Sequence, residues 1–162
     1  MEAEANRFAA LLLMPPPMLQ AELRQIRNPD VTDVVRLARM FDVSKDALAR
    51  AFVEYSREAV AIVVIRDGRI LRLYRNVKNF PWIEASPGQS VPAGSIYHSE
   101  PRPPGTISAT EECEPILWLG EADARKLETL TEQILGQQNG FALLMLHAEM
   151  ADEDTDPLPE VW

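Results

Sequence analysis

The run Val60-Ala61-Ile62-Val63-Val64-Ile65 constrains this chain more than any other segment. It is apolar at every position and rich in β-branched residues, which fits a strand buried on both faces rather than an amphipathic helix. Asp67-Gly68 follows as a two-residue hairpin turn, so Arg69 to Arg75 reads as the returning strand. A strand covered on both sides needs a layer above and a layer below, and the rest of the chain must supply them.

Before Val60 the apolar residues recur at helical spacing. Ala5, Phe8, Ala9 and Leu12 place a first helix over residues 1–14, and Leu11 and Leu13 widen its apolar surface. Such a helix is expected to be buried on more than one side. Pro15, Pro16 and Pro17 end it, and a second helix is expected from Met18 to Ile26. Asn28-Pro29-Asp30 breaks the chain and offers a cap to a third helix with Val34, Leu37, Ala38 and Phe41 on one face. After the turn at Asp42-Val43, Ser44 caps a fourth, in which Leu48, Ala51, Phe52 and Tyr55 repeat the spacing. The last two make a helix-turn-helix shape.

After the first hairpin, residues 79–105 are loop-rich, and Ile116 to Leu119 reads as a short strand. Residues 127–138 fit helix or strand by periodicity, but Asn139-Gly140 followed by Phe141 to His147 argues for a second hairpin and hence a strand. The fold class expected is α+β, divided into helical residues 1–57, a small α+β module with β-hairpins over 58–150, and an acidic tail over 151–162.

Charge excludes some functions. The net charge of −9 opposes general binding to nucleic acid or to an anionic membrane surface. Between Glu22 and Glu58 the seven bases Arg24, Arg27, Arg36, Arg39, Lys45, Arg50 and Arg57 are matched by seven acids, Glu22, Asp30, Asp33, Asp42, Asp46, Glu54 and Glu58. The helix-turn-helix shape is therefore read as structural or partner-docking, and direct DNA binding is disfavoured. Phe8 to Met14 is too short to span a bilayer, and Glu2 and Glu4 replace the basic start of a secretory signal. With Cys113 as the only cysteine, no intrachain disulfide can form, and a cytoplasmic protein is expected. Glu111, Glu112 and Glu114 around Cys113 should raise its thiol pKa and oppose nucleophilic use. His98, His147, Trp82 and Trp118 read as ordinary residues, the two tryptophans in the core, with Trp162 on the tail.

The start of the chain, Glu2-Ala3-Glu4-Ala5-Asn6-Arg7-Phe8-Ala9-Ala10-Leu11-Leu12-Leu13-Met14-Pro15, resembles the ImmA/IrrE zinc metallo-endopeptidases at every position of an E-x-E-A-N-x-F-A-A-x-L-L-M-P pattern. Leu37-Ala38-Arg39-Met40-Phe41-Asp42-Val43-Ser44 is similar to that family's next segment. The resemblance implies the end of a zincin-like domain, with Glu2 as the third zinc ligand. Asn6, one helical turn on, shares its face and could orient a ligand. Without the resemblance, Glu2 and Glu4 would read as acids favoured at a helix N-terminus.

The family holds zinc with two histidines of an H-E-x-x-H helix, uses that motif's glutamate as general base, and cleaves helix-turn-helix transcriptional repressors. His98 and His147 stand far apart, and neither begins such a motif. The chain thus reads as a truncated or degenerate member, inactive alone and not expected to bind zinc alone. The alternative is a non-catalytic sensory or protein-binding module. A GAF-like sensor in related proteins makes signal binding by residues 58–150 an analogy of fold only.

Overall fold

Two acids and a serine start the central helices. The computed structural model describes residues 1–99 and 102–152, and in it Asp30 caps α3 (Val31–Met40) in a reciprocal capping box with Asp33. The Asp30 carboxylate accepts from the Thr32 N–H at 2.7 Å and from the Thr32 hydroxyl at 2.7 Å. Partial burial works against its charge, but these bonds and one from Gln133 hold its pKa below the ordinary value. Ser44 caps α4 (Lys45–Tyr55) by accepting from the Ala47 N–H at 3.1 Å. Between them, Asp42 takes a left-handed conformation with φ 53° and lets the chain reverse.

The sheet has five antiparallel strands in the order β2-β1-β5-β4-β3, where β1 is Val60–Arg66, β2 is Arg69–Arg75, β3 is Glu111–Glu112, β4 is Leu127–Gly136 and β5 is Phe141–Met150. Asp67-Gly68 and Asn139-Gly140 make the two hairpin turns, all four residues having positive φ as that turn type demands. Beyond β3, residues 105–108 extend the cover of β4's outer edge, because Gly105 and Ser108 donate to Gly136 and Ile134 at 2.8 and 2.9 Å.

Both faces of β1 are buried, as its composition requires. Val60, Ile62 and Val64 point towards the helices and join a core with Leu19, Leu37, Leu48 and Phe52. Ala61, Val63 and Ile65 point the other way, into a core with Phe80, Ile83, Ile96 and Trp118. The helices α2 (Pro16–Leu23), α3 and α4 therefore form one layer, and the proline-rich segment forms the other. The architecture is α+β.

Three expectations are corrected. The first helix, α1 (Glu2–Leu13), has no buried residue, with Phe8 65% and Leu12 66% exposed. Its anchor is Met14, just past its end, which is buried in the helical core. The apolar pattern fixed which faces want cover, but within α1 it is Ala10 that packs against the helical core, while Phe8, Leu11 and Leu12 stay exposed. The segment 116–119 is not a strand: Pro115–Leu117 make a 3₁₀ turn before Trp118, because Pro115 lacks an N–H and is preset for the start of a helical turn. Only Leu119 keeps a bridge, to Ile83. Trp118 is fully buried, whereas Trp82 is 59% exposed, with the Arg75 guanidinium stacked 5.2 Å from its ring. Trp162 and all but the first two residues of the acidic tail lie outside the described residues. Among the described residues no helix is long and apolar enough to cross a membrane.

Candidate functional site

Glu2 opens α1, and Asn6 lies one turn further along the same exposed face. Glu4 is directed to another side of the helix. Nothing in the described chain approaches this face to complete a metal shell. His98 sits with Nε2 3.1 Å from the Val91 carbonyl, and His147 has Nε2 3.4 Å from a Glu58 carboxylate oxygen. Among the described residues no three His, Cys, Asp or Glu side chains are grouped so as to hold a metal ion. A catalytic zinc needs three protein ligands and an open position. The described residues therefore do not fit a catalytic zinc, with Glu2 the one side chain that the motif nominates.

Sequence reasoning missed two polar residues that carry the architecture. Glu132 and Gln133 are neighbours on β4, so their side chains leave opposite faces of the sheet. Glu132, 2% exposed, reaches into the proline-rich layer. Its Oε1 accepts from the Ser95 hydroxyl at 2.8 Å and the Trp118 indole N–H at 2.7 Å, and its Oε2 accepts from the Ile96 N–H at 2.9 Å. Gln133 reaches into the helical layer, where Oε1 accepts from the Val31 N–H at 2.8 Å. Its Nε2 donates to Asp30 at 3.1 Å and to the Ser108 carbonyl at 3.3 Å. The signal was present as a polar pair inside an otherwise apolar strand, but its partners lie far away in sequence.

Cys113 is half-buried, and its thiol is pushed up to about 12 by loss of solvent first, then by the charges of Glu132, Glu114 and Glu112. The local acids were legible in the sequence, while burial and Glu132 come from the fold. Such a thiol is a poor nucleophile at neutral pH.

The helix pair α3–α4 turns its apolar faces inward, and α4 packs on β1 and β2. Asp46, in the first turn of α4, meets Arg72 at 3.4 Å and accepts from the Tyr74 hydroxyl at 3.1 Å. Burial, then the charge of Asp46, raises the Tyr74 pKa above its ordinary value. Arg36 is engaged by Glu22 at 3.6 Å and Asp33 at 3.5 Å.

Residues 1–52 match the family model described as the IrrE N-terminal-like domain. This segment belongs to the ImmA/IrrE family. The ImmA/IrrE match takes in α1 to α3 and most of α4, and stops before the sheet begins. It relates the chain to the metallopeptidases of that family, and it includes Glu2 and Asn6. No curated protein matches the chain.

Proposed function

We propose that this chain carries the ligand-bearing helix of an ImmA/IrrE-type zinc endopeptidase that acts on helix-turn-helix repressors in the cytoplasm, and that alone it does not cleave them. The observation that supports this is α1 itself. It bears the complete family run, presents Glu2 and Asn6 to solvent, and leaves Phe8, Leu11 and Leu12 uncovered. A helix of that kind is suited to complete a site whose two histidines and general base come from residues outside these 162. In this reading α3 and α4 are a scaffold, since Asp46 and Arg36 are spent on intramolecular pairs and the local charge is balanced.

Zinc retention tests the reading. After dialysis against trace zinc, metal analysis of the 162-residue chain should find none held. A longer chain, extended with an H-E-x-x-H helix, should retain zinc and cut a repressor. Glu2→Gln should abolish retention there by removing the anionic donor, while Glu4→Gln should leave it intact. Equal retention in all three longer chains would show that Glu2 is no ligand. Saturable, salt-sensitive binding of duplex DNA by the 162-residue chain, lost in Arg50→Ala, would overturn the scaffold role of α3 and α4.

A second reading has its own support. The sheet and the proline-rich layer on one of its faces share a packed core, and both lie outside the family match. This favours a non-catalytic binding module within residues 58–150. Retained binding of a ligand by a chain that never holds zinc would select it.

A further inference from the structure

One edge of the sheet is covered, and the other is half open. At the start of β2 the segment 88–91 supplies cover: Ile70 donates to the Gln89 carbonyl at 2.8 Å and accepts from the Gly88 N–H at 2.7 Å. Past Ile70 this cover stops. Among the described residues, no backbone group from Leu71 to Arg75 bonds to a backbone outside β1. The register shows which of these groups face out. Ala148 donates to the Ala59 carbonyl at 2.9 Å, so by the alternation of antiparallel pairs Ala61 and Val63 also bond towards β5. Their partners on β2, Arg75 and Leu73, therefore turn N–H and C=O away from the sheet.

The same edge is basic. Residues 66–78 carry five cations, Arg66, Arg69, Arg72, Arg75 and Lys78, against the single acid Asp67, in a chain of net charge −9. Arg75 has neutral partners, the Phe80 carbonyl at 2.7 Å and the Trp82 ring, and Arg69 donates to the Gly88 carbonyl at 3.0 Å. Arg72 is faced by Asp46 at 3.4 Å and stays exposed. Arg72 lies on the helical face of β2 and Arg75 on the other, so a strand laid along this edge would meet a cation on each face. Beside the end of β2 a groove of about 410 Å³ runs against α4, its lining including Arg50, Val53, Glu54, Leu73, Val77 and Lys78. Its one acid, Glu54, stands a helical turn from Arg50. Cations on an edge strand also keep a sheet from pairing with its own copies, but that role needs charge alone. Here Leu71, Val77 and Trp82 are exposed beside the cations, and arginine with aromatic groups is the composition enriched in binding surfaces.

We propose that the open half of this edge takes an extended acidic segment of a partner protein as a sixth strand. Leu73 and Arg75 supply the main-chain bonds, and carboxylates of the segment meet Arg72, Arg75 and Lys78. The β2 edge of a second copy would bring arginine against arginine, which disfavours it as the occupant. The proposal is independent of zinc and of the peptidase reading, because α1 contributes nothing to this edge.

The test is fluorescence anisotropy of a short labelled peptide of alternating glutamate and valine, titrated with the full chain. Saturable binding that weakens as salt rises is expected. The same peptide N-methylated at every amide keeps its charge but cannot donate to a strand. It should bind at least about tenfold more weakly, since main-chain bonds are lost. Arg75→Gln should weaken binding of the unmodified peptide severalfold, whereas Arg125→Gln, which removes an exposed arginine paired with Glu121, should leave it unchanged. No saturable binding, equal binding of the methylated peptide, or equal binding of a lysine-valine peptide overturns the proposal. Should Arg75→Gln fail to fold, the methylated and lysine peptides decide the matter on the unaltered chain. Binding only after residues 153–162 are removed would give the edge to the chain's own end, and self-association lost in Arg75→Gln would give it to a second copy. Either outcome overturns the partner named here.

Discussion

The backbone N–H of Val31 donates to the side-chain oxygen of Gln133 at 2.8 Å, joining the first turn of α3 to a strand 102 residues further on. That N–H is one of the groups a helix leaves without a partner at its start. A strand side chain here does what a local cap cannot. Through the same amide, Gln133 also holds Asp30 and the Ser108 carbonyl, so helix, strand and edge segment meet at one residue. We expect Gln133→Leu to destabilise the chain by about 1–3 kcal/mol, because it leaves buried donors and acceptors unmet. Urea denaturation followed by circular dichroism measures it. Wild-type stability in Gln133→Leu would show that water replaces the amide at no cost.

Glu132 performs the matching role on the opposite face. Its two oxygens take three donors, from Ser95, Ile96 and Trp118. Glu132→Gln preserves the shape but sets an NH₂ group against one of those donors. Whichever way the amide is turned, it loses at least one bond and creates a repulsive donor pair. The expected cost is about 1–3 kcal/mol, and the buried Trp118 should report a changed environment in its fluorescence. Trp118→Phe removes one donor together with part of a fully buried indole, so a cavity is added to the lost bond and it should cost at least as much as Glu132→Gln. A smaller cost for Trp118→Phe would mean that the carboxylate's bonding outweighs the packing of the indole.

The elements governed by neighbours in sequence were legible. Asp30 and Ser44 as caps, the apolar run of β1, and the two Asp/Asn-Gly turns each act over a few residues, and each holds in the fold. What depends on distant contact was not. Phe80, Ile83, Val91 and Ile96 lie in a proline-rich stretch without period, yet with Trp118 and Leu119 they form the buried part of the covering layer. Trp82 and Trp118 have the same chemistry and opposite exposures, decided by which one faces Glu132. The nominated Glu2 and Asn6 are placed on one face of α1, as spacing required, but spacing could not say whether this chain brings ligands to them.

The Cys113 thiol gives a prediction with a definite sign. Its pKa is raised in the folded chain from an ordinary 9.0 to about 12. The folded state therefore holds the proton more tightly than the unfolded state does. Its contribution to stability is complete below about pH 9 and is lost as the pH rises towards about 12. Alkylation by iodoacetamide at pH 8 should be more than about a hundredfold slower in the native chain than in urea, since only the thiolate reacts. Similar rates in the two would mean that Cys113 is neither desolvated nor faced by Glu132, Glu114 and Glu112. Cys113→Ser should remove the cysteine's share of the alkaline loss of stability.

The exposure of α1 separates its motif from the fold's stability. Leu12 is 66% exposed, whereas Leu37, with the same side chain on α3, is fully buried against the sheet-facing core. Leu12→Ala should change the unfolding free energy by no more than about 0.5 kcal/mol, as for a surface site without special contacts. Leu37→Ala should cost roughly 2–5 kcal/mol, because it removes packed atoms and leaves a cavity. Thermal and urea unfolding of the two variants, side by side, measure the difference. Should the chain be joined to a helix that covers α1, the ranking predicts a specific change: Leu12→Ala becomes costly and Leu37→Ala stays as it was. A large penalty for Leu12→Ala in the 162-residue chain would show instead that α1 folds down in solution onto the helical layer, and that its apolar face is already covered there.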